Sequence, residues 1–180
     1  MNDIFFCVDK FIKRINNADF QDYESTENFL ENCGFVHEIY EPDNKMYIHE
    51  KGLYIFVFEN MSELLVDFDV LWTEHKEVAN DQKVRVSPLN KGGSEKIMYI
   101  GKTTEQSLDK RINKHFLGLD KSKRTGSMKL SAQVIQDSRL KYKIHVFKAP
   151  ENIYSNRSIQ VTIDMLEKIL HDKLSPRIGK

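Results

Sequence analysis

Apolar residues recur along this chain at two rhythms, every three to four residues and every second residue. The first places Ile4, Phe5, Val8, Phe11, Ile12 and Ile15 on one face of a helix over residues 3–16. Residues 26–33 read as a second short helix, capped by Ser25 or Thr26. Ser62 is a helix cap for a segment through about Lys76, with Leu64, Leu65, Phe68, Leu71, Trp72 and His75 on its inner face. Leu108, Ile112 and Phe116 predict a helix over 106–117, and Leu130, Val134 and Ile135 another over Ser127–Gln136. The last helix, Ser158–Lys173, carries the stripe Ile159, Ile163, Leu166 and Leu170, and Pro176 stops it soon afterwards. The second rhythm, with dense aromatic and β-branched residues, marks Gly52–Phe58, Ile97–Ile100 and Lys141–Phe147 as strands. The polar stretch Asn80–Gly93 reads as loop around a short Val84-Arg-Val86 strand.

The core order is strand, strand, helix, helix, strand, helix, preceded by helices. This predicts an α+β fold with a small, mainly antiparallel three-stranded sheet flanked by helices. Residues 1–50 form an N-terminal helical extension and residues 51–180 the main domain. A helical insertion at about 59–97 separates its first two core strands. A length of 180 residues, 40% hydrophobic and 30% charged, suits one globular domain and excludes collagen-like or disordered composition. The longest apolar runs are far too short for a membrane span. Asp3 stands where a secretory signal needs Lys or Arg, so the expected location is the cytoplasm. Two cysteines, Cys7 and Cys33, make neither a disulfide framework nor a zinc spacing and read as reduced thiols.

A net charge of zero conceals a division. Residues 1–81 hold 18 acidic against 6 basic residues, whereas residues 101–148 hold 12 basic against 4 acidic. That asymmetry points to a polyanion-facing side.

Two tripeptides then stand out. The first predicted strand opens Gly52-Leu53-Tyr54, and the second carries Tyr99-Ile100-Gly101 followed by Lys102. The next helix gives Arg111-Ile-Asn-Lys-His115-Phe116, the basic loop leads into Ser127-Met128-Lys129-Leu130, and the last helix supplies Glu167 with Pro176 nine residues later. In this order and on these elements, the set resembles the GIY-YIG nuclease superfamily over most of residues 51–180. The chain departs from the family's pattern at Gly179, where the family has Asn, and in the insertion between the tripeptides.

The resemblance implies a metal-dependent DNA endonuclease, with restriction, mobile-element and repair enzymes as the family settings and restriction-type members the nearest. The alternative is a catalytically inactive module on the same fold that binds nucleic acid or protein. Phosphodiester hydrolysis needs a cation against the non-bridging oxygens, a base for water and help for the leaving oxygen. Glu167 is the candidate ligand for Mg2+ or Mn2+, which favour hard oxygen donors. Arg111 offers a guanidinium fork to the scissile phosphate. Tyr54 and Tyr99 are the candidate proton acceptors, Tyr99 ahead by resemblance, with Lys102 as the cation that eases ionisation. His115, one turn after Arg111, is expected to orient water or protonate the leaving group, with simple packing as the alternative. Lys121, Lys123, Arg124 and Lys129 read as non-specific contacts to duplex DNA. Cutting both strands with one such site per chain favours a symmetric homodimer. His37, His49, His75, His145 and His171 show no metal-ligand spacing.

Overall fold

The computed structural model describes residues 13–15, 17–18, 20, 22–42, 47–64, 66–119, 127–150 and 156–179, the side chains of 156–159 excepted. The predicted helix over residues 3–16 lies mostly outside them, although Ile15 is buried as its spacing requires. Helix α1 (Tyr23–Asn32) leads to strand β1 (Val36–Tyr40) and strand β2 (Gly52–Phe58). Helix α2 (Phe68–Asp81), strand β3 (Ile97–Thr103) and helix α3 (Leu108–Asn113, continued as a 3-10 turn to Phe116) follow. Helix α4 (Gln133–Asp137), strand β4 (Tyr142–Lys148) and helix α5 (Asn156–Leu174) complete the order.

The fold is α+β, but its antiparallel sheet has four strands in the order β1-β4-β2-β3, not three. The added strand is β1, so residues 1–50 contribute to the sheet and are not helical throughout. Its sequence Val-His-Glu-Ile-Tyr lacks a clean alternation, because Val36 and Ile39 stay exposed on an edge strand. Central strand β2 is covered on both faces. Tyr54, Phe56 and Phe58 face α2, α3 and α4, whereas Leu53 and Ile55 face α1 and α5. Gly52 is required by this crowding: a Cβ there would lie 2.0 Å from the Phe147 carbonyl oxygen of β4.

Helix boundaries moved where a better cap or a tertiary hydrogen bond won. Asp22, not Ser25 or Thr26, caps α1 and forms a capping box with Ser25. Gly34, at φ 87, closes that helix. Asp67, not Ser62, caps α2 by accepting from the Asp69 N–H, and Met61–Glu63 is a separate 3-10 turn. Phe68, Leu71, Trp72 and His75 are buried as expected; Leu64 lies before the helix, and Leu65 lies outside the described residues. The predicted Ser127–Gln136 helix shrinks to Gln133–Asp137 because its first residues bond elsewhere. Met128 N–H donates to His115 Nδ1, Leu130 N–H to the His115 carbonyl, and the Met128 carbonyl accepts from His75. Val86 makes only an isolated bridge, to Ser127.

Strand β3 is the sheet edge beside α5, and the C-terminal tail covers it. Arg177 and Ile178 N–H groups donate to the Ile97 and Met98 carbonyls, each at 2.9 Å. No helix among the described residues is long and apolar enough to cross a membrane.

Candidate active site

Pairing of β2 with β3 sets Tyr54 directly opposite Gly101. The Tyr54 ring lies over that glycine: a Cβ on Gly101 would be 2.3 Å from the ring carbon Cζ. The glycine of the second tripeptide thus makes room for the tyrosine of the first. We expect Gly101→Ala to lower stability by about 1–3 kcal/mol, the usual cost of overpacking, because the fully buried ring has nowhere to swing. Thermal melting of the variant measures it, and an unchanged midpoint would show that the ring relocates freely.

Tyr54 is packed against Tyr99 and His115, with ring centroids 6.1 Å and 5.5 Å away. His115 is fully buried, so it sits behind the tyrosines and not where water or a leaving group would be, as the sequence suggested. Its tautomer follows from its partners. Nδ1 accepts from the Met128 N–H, so in the neutral ring Nε2 carries the hydrogen and donates to the Tyr54 oxygen at 2.9 Å. Burial, with Arg111 and Lys129 nearby, pushes the His115 pKa down to about 3 and keeps the ring neutral. Burial also raises both phenols, but the two are not equivalent. Tyr99 lines a cleft, whereas Tyr54 is fully buried; the Arg111 guanidinium opposes the rise in both and the Glu167 carboxylate adds to it. Arg111, on α3, places its guanidinium charge near both phenols and favours their ionised forms.

Lys102 points to the other side of β3, toward α5. Its Nζ lies 2.7 Å from Glu167 Oε2 and 3.0 Å from Asp164 Oδ1. Burial opposes its charge, yet these two carboxylates hold its pKa above the ordinary value. Groups from both sides of β3 nevertheless line one cleft. A cleft of about 430 Å³ is lined by Tyr99, Glu167, His171 and Gly179, with Arg85 and Lys168 among its remaining walls.

Sequence reasoning missed Asp164 and His171. Both stand on the same helix as Glu167, at i−3 and i+4, but neither carries a signal of its own in the sequence. His171 donates from Nε2 to the Ile100 carbonyl at 3.0 Å. Gly179 has φ 115, and a Cβ there would meet His171 Cε1 at 3.1 Å, so the imidazole occupies the ground beside Tyr99. Among the expected DNA contacts, Lys121, Lys123 and Arg124 lie outside the described residues. Lys129 is fully buried with φ 58 beneath the His115 cluster, which removes it from the surface set. The exposed cations at the cleft are Arg85 and Lys168 instead.

Three buried histidines give the fold a pH dependence. The pKa of His115 falls to about 3 and that of His145 to about 4, both mainly through burial, and burial lowers that of His75 as well. An unfolded histidine titrates near 6.5, so below that pH the unfolded chain binds more protons than the folded one. Stability is therefore intact above about pH 6.5 and lost as pH falls toward 4 and then 3. Melting temperatures across that window should drop continuously by an amount worth several kcal/mol. A flat profile down to pH 4 would show that these rings protonate in place.

Comparison of the chain with protein-family models, curated proteins and solved structures finds no match.

Proposed function

We propose that this cleft hydrolyses phosphodiester bonds in DNA, as a metal-dependent endonuclease of the GIY-YIG type. One observation carries the reading: Tyr99, backed by Tyr54, Arg111 and His115, shares a cleft with Glu167 although they lie on opposite sides of strand β3. Glu167, with Asp164 beside it, is the oxygen donor set that suits Mg2+ or Mn2+. The two carboxylates face the single Lys102 ammonium, which leaves the trio one negative charge in excess. When bound, the cation offsets charge on the phosphate oxygens.

The chain's own residues divide the remaining work. Tyr99 takes the proton of the attacking water, since it lines the cleft and Tyr54 does not. Tyr54 stacks beside Tyr99 and is itself fixed by His115 Nε2–H, so the two hold the Tyr99 ring in place while the Arg111 charge favours its ionised form. Arg111 steadies the phenolate and, once substrate enters, offers its remaining donors to the phosphate. Arg85 and Lys168 hold the flanking backbone, and His171 supplies the polar group beside Tyr99 where Gly179 has no side chain.

The test is incubation of the purified chain with plasmid DNA and Mg2+, repeated with EDTA and with the Glu167→Gln variant. Nicking or linearisation that requires both the ion and Glu167 supports the reading. DNA binding without any cutting, with Mg2+ or Mn2+, would replace it with the binding-module alternative.

A further inference from the structure

A second cluster stands on the opposite face of the sheet, remote from Tyr54 and Tyr99. Helix α1 presents Glu27 and Glu31 one turn apart, and the glycine-closed turn at Gly34 brings His37 of β1 up beside them. One ligand atom from each of the three lies within 4.8 Å of the other two. His37 Nδ1 is 2.7 Å from Glu27 Oε1 and 4.0 Å from Glu31 Oε1. The spacing in sequence concealed this group, because two ligands come from a helix and the third from the next strand.

We propose that Glu27, Glu31 and His37 form a binding site for a divalent transition metal of the zinc class. The donor set decides the class. One imidazole nitrogen with two carboxylate oxygens suits Zn2+, Co2+ or Ni2+, whereas Mg2+ and Ca2+ favour oxygens alone. The ring is also held as a ligand requires. Its other nitrogen, Nε2, lies 3.0 Å from His145 Nδ1, and the ring stacks on Phe147 at 5.0 Å. Tyr23 bonds to the same His145 nitrogen at 2.5 Å. With the Tyr23 O–H given to His145 Nδ1, an Nε2–H of His37 directed at the Tyr23 oxygen, 3.4 Å away, leaves the His37 Nδ1 lone pair for a metal, the second-sphere arrangement common behind metal-bound histidines. A cation there takes the place of the proton that otherwise joins Nδ1 to Glu27. Three protein ligands leave a fourth position for water, and the ion would clamp α1 to the edge strand β1.

Titration of the metal-free chain with Co2+, followed by its visible spectrum, and with Zn2+, followed by calorimetry and thermal melting, tests the site. The Glu167→Gln variant serves as background, so that the carboxylate proposed as the metal ligand of the cleft is absent. The expected result is one equivalent bound, a raised melting temperature, and at least about a 100-fold loss of affinity in Glu31→Gln and in His37→Gln; loss of even an outer partner can cost that much. Glu31 is half exposed, so its variant will fold. Absence of binding, or binding that neither substitution weakens, would overturn the assignment.

Discussion

Replacement of Glu167 by Gln is expected to reduce Mg2+-dependent cutting by at least about a hundredfold, roughly 2.7 kcal/mol of transition-state stabilisation. The substitution keeps shape and removes charge. It takes away the carboxylate that, with Asp164, answers the Lys102 ammonium and faces the cleft. The fold should barely register the change. Glu167 and Lys102 are each about a quarter exposed, with side-chain exposures of 24% and 30%, and Asp164 remains to hold the lysine. An ion pair so placed contributes about 1 kcal/mol or less. Single-turnover cleavage and a melting curve on the same preparation separate the two effects. Retention of more than about a tenth of the wild-type rate would remove Glu167 as the metal ligand and make Asp164 the residue to test next.

The contrast between those two carboxylates shows how far the sequence can be read. Glu167 was found through a motif, and Asp164 was passed over because a lone Asp on a helix flank carries no signal of its own. Only the position of Lys102, on a strand 62 residues earlier, reveals that both serve one cation. The same logic governs the larger elements. Strands β2, β3 and β4 were legible because they are buried on at least one face and their composition announces it. Strand β1 was not, since its Val36 and Ile39 are exposed and its His37 and Glu38 are polar. Helix α4 was overextended because periodicity cannot register competition from His115 and His75 for the backbone of Met128 and Leu130. Lys129 was misplaced for the same reason: within a surface helix it would face solvent, but in the observed turn it is buried.

Substitution of Tyr99 by Phe is expected to have the second largest effect, a loss of roughly a hundredfold or more in turnover. The two phenols differ in access to the cleft, in the sense that the resemblance implied in putting Tyr99 ahead. Tyr99 reaches the cleft, whereas Tyr54 is fully buried and is held by His115. Burial raises the pKa of Tyr99, so its reactive form is scarce at neutral pH. The wild-type rate should therefore climb as pH rises toward the alkaline range, and the Phe variant should lose that climb together with its rate. Tyr54→Phe should behave differently: it removes only a group behind Tyr99 and leaves the His115 Nε2–H without its partner, so the rate falls less and its climb with pH is kept. Both variants keep the aromatic ring and so leave packing against Phe56 and His115 in place. Cleavage rates from neutral to alkaline pH for the three proteins distinguish the cases. If Tyr54→Phe erases the pH dependence and Tyr99→Phe keeps it, the proton acceptor is Tyr54 instead.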